Sequence, residues 1–248
     1  MRKVMVLEDE SSIRSFIVIN LRRAGYEVVE AETGEEALDK LHENPDTLVA
    51  LLDVMLPGID GFEVCRRLRA IAGLEELCLT TNGSLLRELA APLREAGVDR
   101  LNISLDTLRP ERFAQMTRRG ALAEVLDGLS AAEQAGFTNL KINTVLIGGF
   151  NDDEIPDFVS LTRVRPWEVR FIELMPMGPC AQWDKSCFLP GETVLRRCPE
   201  LRAIPSQGVA RRYQIPGARG TVGLISPVSH DFCADCRRIR VTADGKLK

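Results

Sequence analysis

The chain has 248 residues, enough for one large α/β domain or two small ones with a buried core. Its 32 Lys and Arg against 36 Asp and Glu give a formal net charge of −4, which does not favour nucleic acid as a partner. The first ten residues, MRKVMVLEDE, lack the apolar core of a secretion signal, and no apolar run is long enough to span a membrane. We therefore expect a cytoplasmic protein whose seven cysteines are reduced thiols or metal ligands.

Short apolar runs alternate with amphipathic stretches along most of the chain, a pattern typical of βα units and a parallel sheet. Strands are predicted at Lys3–Glu8, Tyr26–Glu30, Leu48–Asp53, Glu76–Thr80, Arg100–Ser104, Leu140–Leu146 and Glu168–Glu173. Helices between them are predicted from apolar stripes at helical spacing within residues 13–21, 85–93 and 122–129. From about Pro176 onward Pro and Gly become frequent, and residues 209–216, 220–226 and 238–246 are predicted to be short antiparallel strands.

Three carboxylates stand where the first and third predicted strands end. Glu8 and Asp9 follow the first strand, and Asp53 ends the third. Because the carboxyl ends of parallel strands share one edge of a sheet, these groups are expected to meet and to hold Mg²⁺. A carboxylate beside Mg²⁺ can take a phosphoryl group as an acyl phosphate. The alternative is that all three are solvated turn residues.

The residues around these carboxylates favour the Mg²⁺ site over solvated turn residues. The segments VLEDE (Val6–Glu10) and LLDVMLPGIDG (Leu51–Gly61) resemble the receiver domain of bacterial response regulators. The resemblance implies a flavodoxin-like portion over residues 1–70, with Asp53 as the phosphoacceptor and Glu8 and Asp9 helping to hold the metal. It also implies a histidine kinase as a partner.

A receiver needs a hydroxyl residue after its fourth strand and a lysine after its fifth. Thr80 or Thr81 supplies the hydroxyl, but Ser104 and Asp106 stand where the lysine belongs. The lysine neutralises phosphoryl charge, and an aspartate nearby adds repulsion. Efficient phosphotransfer and conformational switching are therefore not expected.

A second resemblance covers the chain from about Leu74 to its end. It is carried by LTTNG (79–83), LNISLD (101–106), KINTV (141–145), RFIELMPMG (170–178) and HDFCADCRRIRVTADGK (230–246). These motifs resemble GTP 3′,8-cyclases, the radical-SAM enzymes of molybdenum-cofactor synthesis, and imply a partial TIM-type barrel with a C-terminal antiparallel extension. By match of motif, the S-adenosylmethionine contacts are Thr80, Ser104 and Met175. The corresponding GTP contacts are Lys141, Arg170, Arg238 and Arg240, with Lys141 between the two ligands.

Cys233 and Cys236 form a C-x-x-C pair, a spacing that serves zinc, iron–sulfur clusters and redox exchange alike. By resemblance they are two of three ligands to a [4Fe–4S] cluster, the third falling past Lys248. Two thiolates make a labile site, so weak metal binding or a solvent-exposed reduced pair is expected. Near the pair, Arg237 replaces the usual asparagine, and His230 is expected to form a loop hydrogen bond.

None of the seven cysteines has the C-x-x-x-C-x-x-C spacing of the family's first cluster, which supplies the electron that cleaves S-adenosylmethionine. The two resemblances meet in RRLRA (Arg66–Ala70). We expect a chimera with a receiver portion (1–70), a partial barrel (71–175) and a C-terminal region (176–248), joined in one sheet of about seven parallel strands. Three interpretations stay open: a GTP- and S-adenosylmethionine-binding fragment without turnover, a phosphoacceptor signalling module, and a hybrid with no selected function.

Overall fold

The computed structural model describes residues 3–23, 25–52, 61–70, 76–117, 120–138, 140–176, 178–207 and 209–229. Strands and helices alternate over most of this range, and antiparallel strands follow near its end, so the expected α/β class is confirmed. The chain divides into two compact units. The first contains the described residues of Met1–Leu77, and the second contains those of Cys78–Cys236.

The first unit is a small parallel sheet with helices. Its strands are β1 (Lys3–Leu7), β2 (Glu27–Ala31) and β3 (Thr47–Leu52), and its helices are α1 (Ser11–Arg23), α2 (Gly34–Glu43) and α3 (Gly61–Arg69). The strand order is β2-β1-β3, with Leu7 paired to both Ala31 and Leu52. This order puts the first strand in the centre of a parallel sheet, with the second and third strands on opposite sides of it, as in flavodoxin-like sheets.

Both faces of this sheet are covered. On one face Val4 and Val6 pack against Val18 and Leu21 of α1. On the other face Met5 and Leu7 pack with Ala37 of α2. Successive strand residues point to opposite faces, and because both faces are covered, Val4–Leu7 are all apolar and buried.

The second unit is built on a seven-stranded mixed sheet. Its strands are β4 (Cys78–Thr81), β5 (Arg100–Ser104), β6 (Leu140–Leu146), β7 (Glu168–Glu173), β8 (Arg202–Gln207), β9 (Ala210–Gln214) and β10 (Thr221–Ile225). Its helices are α4 (Leu86–Glu95), α5 (Pro110–Thr117), α6 (Leu122–Gln134), α7 (Ile155–Val164) and α8 (Glu192–Arg197). The strand order is β4-β5-β6-β7-β10-β9-β8, parallel from β4 through β10 and antiparallel beyond.

One face of this sheet is apolar and covered by helices. Leu101, Ile142, Val169, Phe171 and Leu224 alternate with polar residues along their strands and are each at most 1% exposed. Helices α6 and α7 contact this sheet, and α4 packs on α6. The opposite face carries the polar residues of the same strands, because strand side chains alternate between faces.

The predicted strands agree with the structure within about two residues, and those at Arg100–Ser104, Leu140–Leu146 and Glu168–Glu173 agree at both ends. Two features differ. The described strands form two sheets instead of one, because β4 pairs with β5 in the second unit and the first sheet consists of β1, β2 and β3. Strand β10 was expected to be only antiparallel, but it also pairs parallel to β7 and so joins the extension to the βα repeats. Residues 238–246, the last predicted strand, lie outside the described range.

In the described part of the chain no helix combines the length and apolar character needed to cross a membrane.

Candidate functional site

The side of the seven-stranded sheet opposite helices α6 and α7, called here the polar face, presents two rows of polar residues across neighbouring strands. The first row follows the pairing register Thr80–Asn102–Lys141–Glu168–Thr221. The second row lies two residues further along each strand and follows the register Ser104–Asn143–Arg170–Gly223–Arg212. Residues two apart on a strand point to the same side, so both rows share one surface.

Glu168 organises the cations of the polar face. Arg170 Nε donates to Glu168 Oε1 at 2.6 Å, and Lys141 Nζ lies 4.0 Å from Glu168 Oε2. The three side chains are between 13% and 19% exposed, so water screens these charges less than it would at the surface. The carboxylate therefore lies beside both cations on the polar face.

Two amide oxygens on the polar face lack a hydrogen bond to any described residue. They are Asn102 Oδ1 and Asn143 Oδ1, and both are buried. Asn102 Nδ2 donates to Thr80 Oγ1 at 3.4 Å, which leaves its oxygen available. A buried acceptor without a partner costs free energy, so these atoms suit a ligand that brings donors such as hydroxyl or ammonium groups. The motif matches did not single them out, although Asn102 and Asn143 lie two residues from Ser104 and Lys141 respectively.

The residues matched to S-adenosylmethionine contacts lie towards the carboxyl ends of their strands. Thr80 is the third residue of β4, Ser104 ends β5, and Met175 comes two residues after β7. Thr80 and Ser104 are exposed and Met175 is half-buried. In parallel α/β proteins this edge of the sheet is where ligands bind. Thr80 and Thr81 lie on β4, and Ser104 and Asp106 lie at the end of β5, so all four belong with the second sheet. The roles expected for them in a receiver would require β4 and β5 to extend the first sheet.

A buried polar network ties the ends of β5 and β6 together. Asp106 accepts a hydrogen bond from Val145 N at 2.7 Å, and Asn151 Nδ2 donates to the carbonyls of both Asp106 and Val145. Burial raises the pKa of Asp106, although the bond from Val145 N opposes the shift. Nearby, the fully buried Glu154 accepts from Thr107 Oγ1 at 2.7 Å. This network holds the strand ends at which Ser104 lies.

The end of β7 is tied to two later segments through Glu173, which is 3% exposed. Its carboxylate accepts hydrogen bonds from Gly191 N at 2.7 Å, Val228 N at 3.0 Å, Ser229 N at 2.9 Å and Ser229 Oγ. Burial by itself raises the pKa of Glu173, but these hydrogen bonds outweigh it and hold the pKa below its ordinary value. Glu173 thus fixes the chain just before residues 230–236.

At the edge of the first sheet, Arg14 braces the loop that carries the predicted acid pair. Arg14 is 8% exposed, and its guanidinium donates to the backbone carbonyls of Glu8 at 2.6 Å and Asp9 at 3.3 Å. Its other nitrogen contacts Glu32 at 2.5 Å. Glu8 and Asp9 themselves are half-buried and exposed, respectively, at the end of β1.

Several residues singled out from the sequence lie outside the described residues. They are Asp53, His230, Cys233, Cys236, Arg237, Arg238 and Arg240. The Mg²⁺ site at Glu8, Asp9 and Asp53 and the partial cluster site therefore stay predictions. Within the described ranges, no group of three or more His, Cys, Asp and Glu side chains could hold a metal ion.

Curated relatives of the chain are GTP 3′,8-cyclases. The chain is 50% identical over 195 residues to the GTP 3′,8-cyclase of Peptoclostridium acidaminophilum, covering 77% of this chain and 59% of that one. It is also 50% identical over 188 residues to the enzyme of Geobacter sulfurreducens, covering 73% and 57%. The chain thus spans less than two thirds of the length of the curated relatives it matches.

Among solved structures, the chain is similar to the chemotaxis response regulator CheY4 of Vibrio cholerae, with 25% identity and a TM-score of 0.34. The similarity covers 53% of this chain and 98% of that one. A TM-score below 0.5 does not establish a shared fold.

Two family models match the chain. One, described as Molybdenum Cofactor Synthesis C, matches residues 167–248. The other, the radical SAM superfamily, matches residues 13–162 and so includes most of the first unit as well as the first three strands of the second. This span does not divide the chain at Arg66–Ala70, where the two sequence resemblances meet. Because the match covers more than half of its length, the chain belongs to the radical SAM superfamily.

Proposed function

We propose that the second unit is the substrate-binding portion of a GTP 3′,8-cyclase-type protein and that its polar face binds GTP together with S-adenosylmethionine. The observation that carries this proposal is the arrangement of Lys141 and Arg170 around Glu168 on the polar face. The 50% identity to GTP 3′,8-cyclases over 195 residues supports the same assignment.

The charges and donors of the polar face suit these two ligands in different places. Lys141 and Arg170 supply positive charge for the triphosphate of GTP, and the planar guanidinium can bind two phosphate oxygens at once. Nearer the strand ends, the unsatisfied oxygen of Asn143 and the hydroxyl of Ser104 can accept hydrogen bonds from the ammonium and hydroxyl groups of S-adenosylmethionine. Arg238 and Arg240 belong to the proposed GTP site by motif match only.

The residues of this chain do not fit the cluster that cleaves S-adenosylmethionine. Three thiolates at C-x-x-x-C-x-x-C spacing are absent from its sequence, and Cys65, Cys78, Cys180, Cys187 and Cys198 are separated by at least six other residues. Cys233 and Cys236 supply two thiolates, fewer than a stable [4Fe–4S] site normally has. We therefore propose ligand binding without turnover.

We also propose that the protein is located in the cytoplasm.

Isothermal titration calorimetry with GTP tests the binding proposal. Lys141→Ala should weaken GTP binding by about tenfold or more, since a charge-assisted contact to phosphate is lost. Lys185→Ala removes an exposed lysine from a 3₁₀ turn elsewhere in the unit and serves as the matched control. Equal GTP affinity for both variants and the parent would refute the assignment of the polar face.

The absence of turnover is tested after anaerobic iron–sulfur reconstitution. With S-adenosylmethionine and dithionite added, 5′-deoxyadenosine should stay at the level of a protein-free blank. Product that rises in proportion to protein concentration would show that a complete cluster forms and that the chain is an active enzyme.

We also propose that the first unit is a receiver portion joined to the cyclase portion near Arg66–Ala70. Its support is the 2-1-3 order of parallel strands together with the Val6–Glu10 and Leu51–Gly61 motifs. Amplification and sequencing of genomic DNA across the codons for Arg66–Gly73 test the join. Reads that contain only uninterrupted receiver or uninterrupted cyclase genes would refute a natural chimera.

A second candidate function is phosphoacceptor signalling with a histidine kinase as the partner. It is favoured by the pairing of β1 with β3, because Glu8 follows Leu7 and Asp53 follows Leu52, and these two strand residues are in register. Incubation with Mg²⁺ and acetyl phosphate should then add one phosphoryl group by intact mass, and Asp53→Asn should abolish it. An adduct that persists in Asp53→Asn, or no adduct in the parent chain, would exclude this function.

A further inference from the structure

We propose that Arg212 is a third cation of the polar face and binds a phosphate group of the nucleotide alongside Arg170. The inference rests on the proposed GTP-binding function and deepens it by adding a residue that the motif matches did not include. It depends on the strand register, on one glycine and on the electrostatics of the arginine itself.

The register places the two arginines on either side of a single strand. Arg170 of β7 pairs with Gly223 of β10, and Gly223 pairs in turn with Arg212 of β9. Directly paired residues point to the same face, so both guanidinium groups belong to the polar face. With neighbouring strands about 4.8 Å apart, their Cα atoms are roughly 10 Å apart, within the reach of two arginine side chains closing on one phosphate chain.

Gly223 allows the side chain of Arg170 to lie close against β10. A Cβ atom at this position would lie 3.1 Å from Cγ of Arg170, 3.3 Å from Oε1 of Glu168 and 3.4 Å from Cβ of Ala210. The aliphatic stem of Arg170 therefore passes over the glycine and not over a side chain. Any larger residue at this position would have to displace Arg170 from the strand next to Arg212.

Among the described residues, Arg212 lacks the carboxylate partner that Arg170 and Arg211 have. Arg170 is paired with Glu168 at 2.6 Å, and Arg211 is paired with Glu192 at 2.7 Å. For Arg212, no described carboxylate lies within ion-pair distance, and its contact with Thr221 Oγ1 is long at 3.4 Å. Its Nε is buried without an acceptor among the described residues. A buried cationic donor left unpaired is unfavourable, and an incoming anion would relieve that cost.

The charged groups around Arg212 on the polar face favour a polyphosphate as the ligand. Lys141, Arg170 and Arg212 contribute three positive charges and Glu168 one negative charge, which leaves a net charge of +2 for these four groups. Guanidinium groups bind phosphate oxygens through two parallel hydrogen bonds, and an ammonium group adds a point charge. A triphosphate carries enough charge and length to contact more than one of these cations.

The test compares two adjacent arginines on opposite faces of β9. Binding of GTP and of inorganic triphosphate is measured by calorimetry for the parent chain, Arg212→Gln and Arg211→Gln, with folding checked by circular dichroism. We expect Arg212→Gln to weaken binding of both ligands by about tenfold or more, since a charged hydrogen bond to phosphate is lost. Arg211→Gln, which loses a partly exposed ion pair on the other face, should change affinity by less than about threefold. Arg212→Lys should restore part of the lost affinity.

The outcomes separate this inference from the function on which it rests. If Lys141→Ala weakens GTP binding but Arg212→Gln does not, Arg212 has no role and the proposed function stands. If the parent chain binds inorganic triphosphate in an Arg212-dependent way but shows no preference for GTP, the phosphate contact stands and the GTP assignment fails. Equal losses in Arg212→Gln and Arg211→Gln would also overturn the inference, because a general charge effect would then explain both.

Discussion

Replacing Glu173 by glutamine tests how strongly one buried carboxylate holds the second unit together. Oε1 accepts from Gly191 N and Ser229 Oγ, and Oε2 accepts from the backbone N–H groups of Val228 and Ser229. With the glutamine amide nitrogen at the Oε1 position, Gly191 N faces a donor, whereas the Ser229 hydroxyl can turn and accept from the amide. With the amide nitrogen at the Oε2 position, the N–H groups of Val228 and Ser229 both face a donor. Each unsatisfied buried donor costs about 1–3 kcal/mol, and the first orientation leaves only one, so we expect a loss of about 1–3 kcal/mol.

Guanidinium chloride unfolding followed by tryptophan fluorescence measures this loss. Both tryptophans, Trp167 and Trp183, belong to the second unit, so the signal reports on the part of the chain that contains Glu173. The control is Glu124→Gln, because Glu124 is an exposed carboxylate with one backbone bond, from Ala121 N at 3.2 Å. Its loss of stability should stay below about 1 kcal/mol.

The pH dependence supplies a second check. The folded pKa of Glu173 is lowered from 4.5, so its contribution is complete above the unfolded pKa and disappears as the pH falls through the folded pKa. The difference in unfolding free energy between the parent and Glu173→Gln should therefore be largest near neutral pH and shrink below about pH 4.5. A difference under about 0.5 kcal/mol at pH 7, or one that does not change with pH, would refute the reasoning.

Two further predictions concern packing and thiol chemistry in the second unit. A Cβ atom at Gly148 would lie 2.0 Å from the backbone oxygen of Ser186, so Gly148→Ala should lower the free energy of unfolding by about 2 kcal/mol or more. In the control Gly149→Ala the added Cβ meets no atom within 4 Å, so the loss should be only about 1 kcal/mol, from the positive φ. Equal losses in denaturant unfolding would contradict this prediction. Burial raises the pKa of the Cys198 thiol to about 11, and Glu200 adds to the shift. At pH 8 iodoacetamide should therefore modify the exposed Cys78 well before Cys198. Peptide mass spectrometry that shows the reverse order would disprove this prediction.

The sequence alone predicted the local elements of this protein well, because their signals are local. Alternating apolar and polar residues placed β5, β6 and β7 at their observed bounds, and stripes of leucine placed α4 and α6. The same alternation put Lys141 and Arg170 on one side of their strands, and motif resemblance indicated which ligands such residues serve. The radical SAM membership that the family comparison shows was also indicated by those motifs.

Only the tertiary structure decided which strands pair across long separations in the chain. It separated β1–β3 from the sheet that begins at β4, and it inserted β10 between β7 and β9. That insertion sets Arg170, Gly223 and Arg212 side by side and brings Val228 and Ser229 to the carboxylate of Glu173. No local pattern fixes such a register, because it depends on how two distant segments bury their apolar faces against the same helices.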